Sequence, residues 1–199
     1  MMPIYIIGHK ILRQTGDDID KNYPKLQEII ESMFDTMYQS DGVGLAAQQV
    51  GLPIKLFVID ATPYADEFPE ADGFKKVFIN AKIVEYLGKD TVLNEGCLSI
   101  PGIREDVVRK EKVHIKYYDE HFEFHDEIIE GLPARVLQHE YDHTYGILFT
   151  DRISQLRKTM IRNKLRAIAR GKFKPSYPVR IGDKNTVDLY IFPKSIVAK

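Results

Sequence analysis

The segment that most restricts how this chain can fold is His139-Glu140-Tyr141-Asp142-His143. On a helix, residues i and i+4 share one face, so His139 and His143 can reach one metal ion if this stretch is helical. Glu140 then lies beside that face, where its carboxylate can take a proton from a metal-activated water. The preceding GLPARVLQ supplies apolar residues at helical spacing, and a proline such as Pro133 is tolerated in a first turn. The fold must therefore bury a helix carrying two histidines and an acid. Chance places a His-Glu-x-x-His pattern in a chain of this composition at roughly one per cent. The motif therefore needs company, and a surface helix with incidental histidines is the competing reading.

A catalytic metal site takes three protein ligands and leaves a position open. Cys97, the single cysteine of the chain, is the candidate for the third. It sits in NEGCLSIPG, followed by Ser99, Pro101 and Gly102, which reads as a shaped turn and not as a core strand. Three alternatives stand beside it. Cys97 is a small buried hydrophobe, or the nucleophile of a Cys/His pair, or part of a closed zinc site completed by His9, His114, His121 or His125. Glu140 between the two histidines suits an open, water-activating site better than a closed one. A thiolate with two imidazoles is a soft set suited to Zn²⁺ or Fe²⁺.

The remaining chain sets the scaffold. Its 199 residues suggest one domain with a tail. A single cysteine permits no intrachain disulfide, which fits a reducing cytoplasm. The opening MMPIYIIGHK is too short in its apolar stretch for a signal peptide, and no run reaches membrane-span length. A net charge of −1 gives no global pull toward a polyanion. Residues 24–39 place Leu26, Ile29, Ile30, Met33, Phe34 and Met37 at helical spacing, with Pro24 suited to the first turn and the methionines suited to core. Strand-like runs follow at 54–60, 77–87, 113–119 and 121–129, with Asp119-Glu120 as a turn and 61–75 as an exposed loop. Helical pattern returns at 131–146 and at 152–170, where Ile153, Leu156, Met160, Ile161, Leu165 and Ile168 recur; VDLYIF in the tail reads as one more strand. The order predicts an α+β fold, mainly antiparallel sheets around a central metal-binding helix, with a C-terminal helix.

Three stretches together, GVGLAAQQVG (42–51), EGCLSIPG (95–102) and QHEYDHTYGILFTD (138–151), resemble the bacterial peptide deformylase family in content, order and spacing. The resemblance spans roughly 1–170 and implies a catalytic domain at 1–174 and a tail at 175–199 without an assigned role. It implies that Cys97, His139 and His143 bind one divalent metal, Fe²⁺ foremost, with Zn²⁺, Ni²⁺ or Co²⁺ as substitutes. Glu140 would be general base and then general acid. Gln49, favoured over Gln48 by spacing, and the backbone N–H of Leu98 would hold the oxyanion. The implied substrate is the formyl-methionyl end of a nascent peptide, which would lie as an added strand against Val43, Gly44 and Gly96. Gly42 and Gly44 would let the backbone approach a ligand closely. Glu95 would orient the metal-side loop or a partner such as Arg135, and Arg104 would meet the far end of a short peptide.

Between Arg152 and Lys174 lie nine basic residues and no acid. A solvated helix face is the plain reading. A deformylase must meet chains as they emerge, so the resemblance also implies ribosome docking through this basic stretch, 152–174, by sequence-independent phosphate contacts. No membrane partner and no sequence-specific nucleic acid are expected. Rival readings are a zinc peptidase of another fold sharing only HEYDH, a cysteine hydrolase using Cys97, and a ribosome- or RNA-binding protein with a degenerate site; the intact Glu140 and Gln49 oppose the last.

Overall fold

The computed structural model describes residues 1–182 and the strand at 189–191. In chain order its strands are β1 (Ile4–Tyr5), β2 (Gly44–Ala46), β3 (Leu56–Asp60), β4 (Lys75–Cys97), β5 (Ile100–Tyr118), β6 (Phe124–Glu130), β7 (Val179–Ile181) and β8 (Leu189–Ile191). Its α-helices are α1 (Leu26–Gln39), α2 (Gly131–Thr144), α3 (Phe149–Arg152) and α4 (Gln155–Ala169). Among the described residues the strands form two sheets, an antiparallel β2-β3-β4-β5-β6 and a smaller β1-β7-β8 in which β1 and β7 run parallel. The expected α+β architecture is the observed one.

The first helix begins two residues later than Pro24. Lys25 takes a left-handed backbone, φ 58°, which no right-handed helix can run through. Leu26, Ile30, Met33 and Met37 then face inward against Leu45, Leu56, Val58 and Ile79, so both methionines are core.

The strand expected at 77–87 runs on to Cys97. Its distal half, from Lys82 onward, is zipped to β5, from Lys82↔Lys116 to Cys97↔Ile100. Backbone pairing with β5 sustains this half although most of its side chains from Val84 to Asn94 face solvent, so an apolar pattern alone ends it too early. Cys97 pairs with Ile100, leaving Leu98 and Ser99 as a two-residue turn. At the other end of β5 the turn is wider than Asp119-Glu120. The Asp119 carboxylate accepts the N–H groups of His121 and Glu123 at 2.9 and 3.0 Å, and β6 starts only at Phe124.

The metal-motif helix α2 lies at the centre, packed on β2, β3 and β5. Ala134 and Leu137 meet Phe57, Phe78, Val113 and Ile115. The loop at 61–75 seats it. Glu70 accepts the N–H of Leu132 at 3.1 Å and so satisfies a donor in the helix's first turn. Gly131 starts the helix at φ 66°, and a Cβ there would fall 2.0 Å from the Glu70 carboxylate.

The helix expected at 152–170 is broken. Ile153 is extended, ψ 163°, and Ser154 caps a fresh start by accepting the Arg157 N–H at 3.3 Å. The break resets the apolar face. Ile161 and Ile168 are buried and Leu165 packs beside them, whereas Leu156 and Met160 are 71% and 62% exposed. Beyond α4 the chain returns to the body, burying Tyr177, Val179 and Ile181 with Ile4, Ile6, Ile100 and Phe149. Of the strand expected in VDLYIF, residues 189–191 form β8; residues 183–188 and 192–199 of the tail lie outside the described part. No helix among the described residues is long and apolar enough to cross a membrane.

Candidate active site

The α2 helix places His139 and His143 one turn apart with ring centroids 5.0 Å from each other. The turn between β4 and β5 brings Cys97 to them, with its Sγ 3.3 Å from His143 Nε2. One ligand atom from each of the three lies within 4.8 Å of the others, close enough to share an ion. A thiol and two imidazoles converge, His139 uses Nδ1 for a carboxylate and so keeps Nε2 for an ion, and the set is the soft one expected of Zn²⁺ or Fe²⁺. The donors fit.

Glu140 stands against this cluster, 4% exposed, and its Oε2 is buried without a hydrogen-bond partner among the described residues. Burial pushes its carboxyl up to about 7. Room for the carboxylate comes from β2, since a Cβ on Gly44 would sit 2.6 Å from Glu140 Oε1. The close approach that needs this glycine is therefore to Glu140. At Gly42 the crowding atoms are Leu98 Cδ1 at 3.0 Å and Met37. The two glycines thus make space for site residues of the chain itself.

Gln49 and Gln48 point to different places. Gln49 Oε1 accepts the Ala46 N–H at 2.8 Å, which turns its amide nitrogen toward Cys97 Sγ at 3.5 Å and Ser99 Oγ at 3.3 Å. Gln48 donates to the carbonyl of Thr144, away from the cysteine. Leu98 follows Cys97 in the two-residue turn. Both glutamines are on one short 3₁₀ turn, so neighbours in sequence diverge.

Glu95 binds more partners than sequence reasoning assigns it. It accepts from His139 Nδ1 at 2.9 Å, from Arg135 at 3.0 Å, and from Arg109 at 2.7 and 3.0 Å. Burial alone would raise its pKa, but the hydrogen bonds of His139 and Arg109 and the Arg109 charge hold it well below the carboxylate range. Arg109 also reaches Asp142 at 2.7 Å, and Arg152 closes on Asp142 from α3. Arg109 and Asp142 are 5% and 2% exposed. Neither stands out in the sequence. The signal was present, because Glu105, Val107 and Arg109 alternate on the inward face of β5, so a charge there demanded a buried partner.

A cleft of about 650 Å³ opens over these groups. Val43, Gly44 and Gly96 all line it. β2 is the edge of its sheet, and Gly96 is paired only with β5 at Arg104. An edge strand beside a cleft has unpaired backbone groups with which an extended peptide can pair. Arg104 borders the same cleft and is held by Asn94, its Nε donating to Asn94 Oδ1 at 2.9 Å and its Nη2 to the Asn94 carbonyl at 2.6 Å.

A thiol, two imidazoles and a buried carboxyl with a raised pKa under an open cleft define the chain, by fold and chemistry, as a metal-dependent hydrolase. Comparison with known proteins narrows the class. The sequence model described as polypeptide deformylase matches residues 1–159. A peptide deformylase of Christiangramia forsetii is 50% identical over 187 residues, 90% of this chain and 95% of that protein. One of Flavobacterium johnsoniae is 51% identical over 187 residues with the same coverage. Among solved structures, Arabidopsis thaliana peptide deformylase 1B in complex with an inhibitor matches with a TM-score of 0.76 at 37% identity, covering 86% of this chain and 92% of that one. A Legionella pneumophila peptide deformylase matches with 0.74 at 38%, covering 86% and 97%. The chain belongs to the polypeptide deformylase family.

Proposed function

We propose that this chain removes the N-formyl group from the terminal formyl-methionine of new polypeptides, with Cys97, His139 and His143 as the ligands of one divalent ion. The observation that carries the reading is the Glu140 carboxyl, buried, with its Oε2 unpartnered among the described residues and its pKa raised to about 7, beside the Cys-His-His cluster. A divalent ion held there supplies Lewis acidity to the formyl carbonyl and acidifies water near pH 7. Glu140 takes the proton of the attacking water and delivers it to the amine that leaves. The Gln49 amide and the Leu98 N–H hold the oxygen of the tetrahedral intermediate. Glu95 fixes the ring of His139 so that Nε2 stays aimed inward. Val43, Gly44 and Gly96 bind the peptide backbone as an added strand, and Arg104 meets the far carboxylate of a short substrate.

Fe²⁺ is the ion we assign, on the strength of the thiolate-imidazole set and the family resemblance, with Zn²⁺, Ni²⁺ and Co²⁺ able to occupy the same donors. The domain at 1–174 carries all of these groups. The reading puts the enzyme in the cytoplasm, at the ribosome, with the basic stretch 152–174 as the docking element.

The test is a formyl-Met-peptide assay on anaerobically purified protein with metal analysis. Release of formate that disappears with a strong chelator and returns with Fe²⁺, Ni²⁺ or Co²⁺ is the expected result. Activity indifferent to the chelator would transfer the chemistry to Cys97 as a nucleophile, and cleavage of internal peptide bonds would indicate a peptidase.

A further inference from the structure

Tyr177 stands beyond α4 and outside residues 1–159 that match the family, yet it reaches the site. Its ring is 6% exposed, packed in the core with Ile100 and Phe149. Its hydroxyl donates to the carbonyl of Leu98 at 2.6 Å. We propose that Tyr177 is a positioning residue that holds the turn Leu98–Ser99 in the orientation needed for the Leu98 N–H to receive the oxyanion. The proposal rests on the reading of Leu98 as an oxyanion donor.

Leu98 and Ser99 are the only residues between paired Cys97 and Ile100. A turn this short has few backbone dihedrals, and the N–H and C=O of Leu98 lie in adjacent peptide planes joined at one Cα. Fixing the carbonyl therefore limits where the N–H can point. The turn is held at three points. Tyr177 binds the Leu98 carbonyl, the Ile7 N–H donates to the Ser99 carbonyl at 2.9 Å, and Gln49 Nε2 donates to Ser99 Oγ at 3.3 Å. Two of these clamps come from opposite ends of the chain, and the strands beside them are themselves tied, with Ile4 paired to Val179 and Tyr5 to Arg180. The small sheet β1-β7-β8 is thus a brace behind the turn, which Ile7 just after β1 and Tyr177 just before β7 both grip. Ser176 and Tyr177 also border the cleft, so loss of this grip is felt where substrate binds. A donor aimed in advance is what oxyanion stabilisation requires, because reorientation during the reaction would cost the benefit.

The experiment compares Tyr177→Phe, which keeps the ring and removes the hydroxyl, with Gln49→Ala, which probes the oxyanion site independently. Expected for Tyr177→Phe is a kcat on formyl-Met peptides lower by about tenfold, below the roughly 10²–10³-fold of losing a donor outright. KM should stay within about twofold, since the contact acts on the transition state. Metal content should be unchanged, and amide exchange in a peptide covering 96–101 should be faster. Placing 3-fluorotyrosine at 177, which retains the hydroxyl, should preserve kcat and slow exchange. If Tyr177→Phe keeps wild-type kcat while Gln49→Ala is crippled, the Tyr177 proposal alone is overturned. A lower melting temperature with unchanged kcat per folded molecule overturns it equally, since that is the signature of a packing role. Wild-type kcat in both variants overturns the oxyanion reading and the proposal with it. Should Tyr177→Phe be too unstable to assay, loss of activity in the 3-fluorotyrosine protein with its exchange protection intact would overturn it.

Discussion

Glu140 and Gly44 form a pair at which a single methyl group decides the outcome. Glu140→Ala should retain the metal, because no ligand is touched, and lose kcat by roughly the 10²–10⁴-fold of a general acid–base. Metal analysis beside single-turnover rates on a formyl peptide checks this, and near-normal turnover in a loaded variant would remove Glu140 from the proton path. Gly44→Ala should mimic it sterically, since its Cβ would lie 2.6 Å from Glu140 Oε1 and would push the carboxyl out of position. Behind His139, Arg109 holds two carboxylates, Glu95 and Asp142, at 2% side-chain exposure. Arg109→Met leaves both charges buried with a donor lost and should cost about 3–5 kcal/mol of stability, read from denaturant midpoints. A variant as stable as the parent would show that Arg135 and Arg152 suffice. These roles were unevenly legible. HEYDH announces its two candidate ligands because helical spacing is a property of sequence. The contacts of Arg109 join β4, β5 and α2, and no spacing rule reaches across three elements.

At the scale of elements, α4 and the β4–β5 hairpin carry the chemistry's surroundings. Of the nine basic residues from 152 to 174, several are used internally. Arg152 binds Asp142, Arg157 binds Glu105, and Lys158 and Lys164 donate to the carbonyls of Asp151 and Gly102. Arg162, Arg166 and Arg170 are exposed. Reversing these three to Glu should abolish co-sedimentation with ribosomes while free-peptide deformylation stays normal, and parental binding should fall steeply with salt. An unchanged salt midpoint for the reversed protein would show that α4 is not the dock. The hairpin delivers Cys97, so Cys97→Ala should weaken metal retention more than it lowers the melting temperature. With Fe²⁺ on a thiolate, aerobic handling should inactivate the enzyme through oxidation of iron or sulfur, and Ni²⁺ or Co²⁺ loading should give durable activity; equal half-lives in air for the Fe²⁺ and Ni²⁺ forms would contradict this. Amphipathic α1 was readable from its 3.6-residue period. The distal half of β4 was not, because its exposed residues carry no period and are held by backbone pairing with β5.

For the whole molecule, acid stability follows from carboxylates held ionised inside the fold. Asp60, at the end of β3, is one: burial alone would raise its pKa, but the hydroxyls of Thr62 and Tyr38 lower it below the usual value. A carboxyl with a depressed folded pKa contributes stability that is present above its unfolded value of about 3.9 and is lost as pH falls through the folded value. Asp60→Asn should therefore be less stable than the parent at pH 7, with the gap closing in acid; a gap independent of pH would assign the loss to packing. By itself the sequence determined the α+β class, the helical metal motif, the cysteine turn and the family, because local period, residue chemistry and motif order are written along one dimension. Only the tertiary structure decided that Gly44 makes room for Glu140, that Glu95 gathers Arg109, Arg135 and His139, and that Tyr177 folds back onto Leu98. Each of these joins residues 40 to 96 positions apart, except the shorter step from Glu95 to Arg109, which the pairing of β4 with β5 brings about. Such contacts are fixed by which buried donor finds which buried acceptor once the chain has closed.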